Sequence, residues 1–183
     1  MNAQIKGKCF QVGNAATVYQ IISRARWKEH GRNVEKLGDW VFEKLAPGAE
    51  DKAGAFRALG YSIVIAGGNF GCGGKSNDHP LLALKGAGIE LVIAESFSRI
   101  FFRNAVNLGL YVMPCPNISS FCSTDDIIEC DLGAGTVKNL TKGTALNTKP
   151  LTDLALDILG AGSLVDYYKK VRDKPELLFA GKR

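Results

Sequence analysis

Short apolar runs set off by glycines give the middle of the chain its rhythm. Residues 60–66 (GYSIVIA) are apolar and β-branched between glycines, a pattern of a buried strand rather than of so short a helix. A glycine cluster follows. Residues 80–88 (PLLALKGAG) then have helical spacing, residues 89–94 (IELVIA) form a second buried strand, and residues 98–108 (SRIFFRNAVNL) a helix closed by Gly109. Residues 110–113 make a third strand. Strands alternating with helices in this way predict βαβ units and a parallel sheet, so the core is expected to be α/β.

The pattern changes on either side of that core. Residues 126–132 (DIIECDL) alternate like an exposed edge strand, and Gly133-Ala134-Gly135 turns them into residues 136–140 (TVKNL), a hairpin and hence a small β subregion. Residues 151–159 and 163–171 have helical spacing, broken at Gly160-Ala161-Gly162. Residues 27–52 look like an inserted segment, helical around 33–45 and stopped by Pro47-Gly48.

Composition narrows the function classes. With 183 residues, 46% of them apolar, the chain suits one domain able to bury a core without disulfides or metals. No run approaches the roughly 20 apolar residues that span a bilayer, and residues 1–11 lack the apolar stretch of a signal peptide, so a cytoplasmic protein without membrane contact is expected. Cys9, Cys72, Cys115, Cys122 and Cys130 are too scattered for a zinc site or a disulfide framework and are expected to be reduced thiols. Of the net charge of +5, most lies in residues 168–183, where six Lys and Arg stand against Asp173 and Glu176. The body is nearly neutral and carries no basic face interleaved with aromatics, which excludes nucleic acid as the expected partner. A solvated basic helix and tail accounts for the excess.

The candidate chemistry lies in residues 67–79, GGNFGCGGKSNDH. Five glycines leave backbone N–H groups free to face an anion, and the loop leads from a strand into a helix N-terminus, with Ser76, Asn77 and Asp78 as possible caps and Pro80 tolerated in the first turn. Gly74-Lys75-Ser76 imitates the end of a phosphate-cradling loop, but the leading glycine of that motif would fall on Asn69, and Glu95 rather than Asp follows the next strand. A nucleotide-binding protein is therefore a weak alternative.

Residues 66–73 (AGGNFGCG), Asp78-His79, residues 85–88, and residues 93–104 (IAESFSRIFFRN) resemble the small subunit of 3-isopropylmalate dehydratase and the aconitase swivel domain. In that family the loop reads G-x-N-F-G-C-G-S-S-R-E-H, and S-F-A-R-I-F-x-R-N follows in the same order. Weaker likeness covers residues 7–27 and 131–170. The resemblance implies a swivelling β/β/α domain that closes over a [4Fe-4S] cluster carried by a separate large iron–sulfur subunit, with no metal held by this chain. It also implies a lyase of amino-acid biosynthesis, a hydro-lyase acting on a small hydroxy di- or tricarboxylic acid. There a loop serine takes the proton, while arginine and loop N–H groups hold carboxylates.

The loop departs from the family pattern in ways that bear on substrate. Five residues, Gly-Lys-Ser-Asn-Asp, stand between Gly73 and His79 where the family has four. Counting back from His79 sets Lys75 and Ser76 at the paired serines and Asn77 at the arginine. Upstream, the family's D-T-D-x-I-I-P-A-R is represented by residues 17–26 (TVYQIISRAR), without either acid and with Arg24 and Arg26 bracketing the arginine position. Ser76 is the expected base. Lys75, Gly73, Gly74, Asn77, Arg24 and Arg26 are the expected substrate-binding groups. A non-catalytic ligand-binding or regulatory subunit of the same fold is the alternative. His79 is expected to orient the loop, Cys72 to pack, and Arg99 and Arg103, four apart on one helix face, to pack their stems or pair with a carboxylate such as Glu95.

Overall fold

The structure is a computed structural model that describes residues 4–74, 77–172 and 174. Its frame is one sheet of seven strands: β1 (Gln4–Val12), β2 (Ile63–Ala66), β3 (Leu91–Ala94), β4 (Tyr111–Pro114), β5 (Ile127–Asp131), β6 (Thr136–Asn139) and β7 (Thr144–Asn147), in the order β4-β3-β2-β1-β5-β6-β7. From β1 to β4 the neighbours are parallel; from β1 through β5 and β6 to β7 they are antiparallel. Strand β1 is thus the seam between an α/β half and a meander.

The apolar runs in β2 and β3 follow from burial on both faces. Val64, Ala66, Val92 and Ala94 point into one core, Ile63, Ile65, Leu91 and Ile93 into another on the opposite face. The first core is covered by α1 (Val18–Ile21), α2 (Arg24–His30), α3 (Val34–Gly38), α4 (Ala55–Ala58), α5 (His79–Gly86), α6 (Arg99–Asn107), α8 (Asp153–Ala161) and α9 (Leu164–Val171). The second is closed by α7 (Ile118–Phe121) and the meander. Helix α6 starts at Ser98, whose hydroxyl accepts from the Phe101 N–H, and stops before Gly109 at φ 71°.

Two expectations need correction. Strand β5 is not at an edge; it lies between β1 and β6, and its alternation reflects one face turned to the second core. Strands β1 and β7 carry no clear sequence signal: β1 mixes Lys, Gly and Gln into its apolar positions, and β7 is an edge strand of mostly exposed residues. In the segment at 27–52, helix covers Val34–Gly38 rather than 33–45, because Leu37, Val41 and Phe42 are all drawn into the core and Phe42 takes a φ of 53° that ends helical continuation. The basic tail at 175–183 lies outside the described residues; in α9 before it, Tyr168, Lys169 and Lys170 are exposed.

Helix α3 reaches α5 through glycine. A Cβ on Gly38 would come within 2.1 Å of the Gly86 carbonyl carbon, and one on Gly86 within 1.9 Å of the Val34 oxygen. This backbone-to-backbone crossing sits at the carboxyl end of α5; at its start, where the glycine loop ends, Arg32 and Trp27 of the same segment meet Asp78 and His79. Because alanine is the better helix former, Gly86→Ala would stabilise an isolated α5 by about 1 kcal/mol. In the folded chain it is expected instead to destabilise by ~1–3 kcal/mol or more through overpacking, read as a lower midpoint in urea unfolding; a raised midpoint would show that the crossing relaxes without cost.

Candidate active site

The glycine loop leaves the carboxyl end of β2 and threads between the segments that follow β1 and β3. On the β1 side the Gly68 N–H donates to Asn14 Oδ1 at 2.7 Å, Ala15 N–H to the Gly68 carbonyl at 2.8 Å, Gly71 N–H to the Ala16 carbonyl at 2.8 Å, and Val18 N–H to the Cys72 carbonyl at 3.0 Å. On the β3 side Asn69 N–H donates to Ser96 Oγ at 2.8 Å, Phe70 N–H to the Ser96 carbonyl and Ser98 N–H to the Phe70 carbonyl, both at 2.9 Å. Ser98 Oγ donates to the Gly71 carbonyl. The Phe70 ring is fully buried edge-on to Phe97 and Phe101. Gly71 sits where a Cβ would meet the Phe101 ring at 2.3 Å, with φ at 75°, so both space and backbone require glycine.

The loop is therefore fixed through Cys72, and its free donors come next. Gly73 and Gly74 lie over the start of α1, where a Gly74 Cβ would strike Val18 at 2.5 Å. Among the described residues their N–H groups have no acceptor. Asn77 turns its side-chain oxygen to His79, accepting from the backbone N–H at 3.2 Å and from ring Nδ1–H at 2.5 Å, which leaves the Asn77 amide pointing away. The His79 ring packs on Trp27 with centroids 5.1 Å apart, Trp27 packs on Tyr19 at 5.6 Å, and the Arg24 guanidinium lies 4.5 Å over the Tyr19 ring while donating to its hydroxyl at 2.7 Å. A row of three rings thus joins the loop's end to an exposed arginine. On its other side Arg32 pairs with Asp78 at 3.0 Å.

The expected site residues divide accordingly. Ser76 and Lys75 lie outside the described residues. Gly73, Gly74 and Asn77 flank them, while Arg24 lies on Tyr19, two ring contacts away from His79, with no carboxylate partner among the described residues. Arg26 does not join them. It pairs with Glu43 at 3.1 Å, Asp51 at 3.4 Å and Glu29 at 3.5 Å, and stacks 3.3 Å over Trp40. Glu43 is nearly buried, so withdrawing Arg26 would strand a carboxylate. Its charge is spent on holding the 39–51 turns. Tyr19, Trp27, Arg32 and Asn14 were not expected; only Gly13-Asn14, a turn signal after an apolar run, is visible in sequence.

Burial pushes the Cys9, Cys122 and Cys130 thiols up to about 12 and Cys115 to about 11, so these four rest as neutral, buried thiols. Cys72 stands apart from them, its Sγ on the Ala15 carbonyl. Among the described residues no three His, Cys, Asp or Glu side chains converge as a metal requires.

Residues 16–117, which include the whole loop and the segment after β3, match the aconitase C-terminal domain. The chain belongs to that family. Within the aconitase C-terminal domain family it is 39% identical to the isopropylmalate/citramalate isomerase small subunit of Methanocaldococcus jannaschii, over 93% of this chain and 96% of that one. It is 38% identical to the 3-isopropylmalate dehydratase small subunit of Thermodesulfovibrio yellowstonii, over 91% and 95%. The crystal structure of 3-isopropylmalate dehydratase from M. jannaschii superposes with a TM-score of 0.79 at 28% identity, covering 96% of this chain and 99% of that one. The expected fold class, an α/β swivel-type domain with a parallel core and a small β subregion, is the fold of this family member.

His79 makes the site's electrostatics testable. Burial, then the Arg32 charge, lowers its pKa below the ordinary 6.5, while Asp78 partly opposes them. Above 6.5 the ring is neutral folded and unfolded; as pH falls below 6.5 the unfolded chain takes up its proton first, so this contribution to stability is lost through that window. NMR titration is expected to give a His79 midpoint below 6.5 that rises in Arg32→Gln. A midpoint at or above 6.5 would contradict the buried, Arg32-facing ring.

Proposed function

We propose that this chain is the small subunit of a two-chain, iron–sulfur-dependent hydro-lyase that removes and returns water on a small hydroxy acid with two or more carboxylates, of the isopropylmalate or citramalate kind named for its relatives. The observation that carries this reading is the loop's construction: fixed by paired hydrogen bonds through Cys72, then opening on the Gly73 and Gly74 N–H groups, which have no acceptor among the described residues. Anionic substrates need such donors, and a loop that spends none of its own flexibility presents them at little entropic cost. The chain acts as one swivel-type domain in the cytoplasm, where its reduced thiols persist. The iron–sulfur cluster belongs in this reading to the large subunit, since no thiol set described here fits it.

Within the site, Ser76 removes the proton from the carbon beside the hydroxyl-bearing one. Its alkoxide is stabilised by the Gly73 and Gly74 donors and by the Lys75 ammonium. A bound dicarboxylate favours protonated Lys75, which makes lysine a carboxylate partner rather than the base. The Asn77 amide and Arg24 complete the clamp that the family's loop arginine otherwise provides.

With the large subunit present, Ser76→Ala is expected to abolish exchange of the substrate's α-hydrogen with deuterated solvent, whereas Lys75→Met mainly raises KM. The reverse pattern would give the base role to Lys75, and no effect of either would leave a ligand-binding subunit.

The two arginines separate substrate contact from scaffolding. Arg24→Gln is expected to raise KM by about tenfold, the loss of one charged hydrogen bond. Arg26→Gln should instead lower the thermal midpoint by stranding Glu43, with KM little changed. Equal effects on KM would return Arg26 to the substrate site.

A further inference from the structure

A second feature borders the glycine loop and takes no part in the chemistry above. At the carboxyl ends of β3 and β4 lies an open cavity of about 370 Å³, floored by Phe97, Phe102 and Pro114 and bordered by Arg99 and Arg103. A second, of about 230 Å³, shares Phe102 and Pro114 and continues past Leu151 to Lys149 at the start of α8. Together they form one trough with an apolar floor. Arg99, Arg103 and Lys149 are all exposed, and none has an ion-pair or hydrogen-bond partner among the described residues. Glu95, the acid expected to pair with the arginines, instead accepts from the Ser119 hydroxyl. A rim with three unpaired cations over an apolar floor complements a chain segment that carries apolar side chains flanked by carboxylates. A small carboxylate is a poorer occupant, because small-molecule sites enclose most of the ligand and this trough is open along its length.

The trough is mechanically continuous with the site. Its wall at 95–97 is the segment whose Ser96 hydroxyl and carbonyl hold Asn69 and Phe70, and Phe97 touches the Phe70 ring. Whatever seats in the trough presses on the tether of the glycine loop. We propose that the trough is the docking surface for an apolar, acidic segment of the cluster-bearing large subunit. This rests on the two-chain reading. Docking there sets the loop against the partner's side of the cleft, so assembly and completion of the site are one event.

The test is the affinity of labelled full-length chain for purified large subunit, followed by fluorescence anisotropy at two salt concentrations. Arg99→Glu/Arg103→Glu is expected to bind about tenfold more weakly or worse, with a smaller salt dependence, and Arg99→Lys/Arg103→Lys to recover most of the affinity. Both arginines are exposed and have no bonding partner among the described residues, so an unchanged thermal midpoint verifies folding. Lys169→Glu/Lys170→Glu on α9, outside the trough, is expected to bind like the unaltered chain. Unaltered affinity in Arg99→Glu/Arg103→Glu, or loss confined to the α9 variant, overturns the trough as the docking surface while leaving the two-chain reading in place. Failure of the unaltered chain to bind any large subunit overturns both.

Discussion

Gly71 has no side chain, and the ring of Phe101 occupies the space a side chain would take. Phe101 belongs to α6, which begins at Ser98, and Ser98 bonds back to the loop at both Phe70 and Gly71. The loop, the strand end it leaves and the helix beside it are thereby one packed unit. Any larger residue at 71 would have to push α6 off the sheet or break the hydrogen bonds that carry Gly68 to Cys72 across the gap between β1 and β3. The course of residues 68–72 is set by packing and backbone bonds.

Charge is distributed with the same economy. Arg26 and Arg24 are two residues apart on one short helix, yet they face different problems: one neutralises a nearly buried carboxylate, the other lies exposed on the Tyr19 ring. Two residues along a helix is a turn of about 200°, so the pair cannot share a face. Arg32, next to Asp78 at the foot of α5, adds positive potential and keeps the His79 ring neutral. A neutral imidazole donating from Nδ1 holds Asn77 without introducing a proton that competes with the base.

How much of this the sequence reveals depends on where each residue's partners lie. Strands β2 and β3 were legible because their burial is complete, and helices α5 and α6 because apolar spacing and closing glycines mark them. The loop was legible because five glycines around Asn69 and Phe70 have no other economical use, and its resemblance to a known family supplied the activity. Strand β1 was opaque: Lys6, Gly7 and Lys8 make no alternation, and the strand is specified by pairing with β2 and β5, more than a hundred residues apart in the case of Lys8 and Ile127. The fate of Arg26 was opaque for the same reason, since Glu43 and Asp51 come to it from 17 and 25 residues along the chain through turns. Arg99 and Glu95 show the converse error, in which proximity in sequence suggested a pair that Ser119 pre-empts.

The tether also bounds the effect of the extra residue in the loop. From Gly67 to Cys72 each residue is registered against Asn14–Val18 on one side or Ser96–Ser98 on the other, and one added residue would shift every subsequent donor onto the wrong acceptor. After Gly74 the next fixed point is the start of α5, where Asn77 bonds to His79 and Asp78 to Arg32. The extra residue relative to the family's pattern lies between Gly73 and His79, past the last of those tethers, so the register that fixes residues 68–72 is unaffected by it.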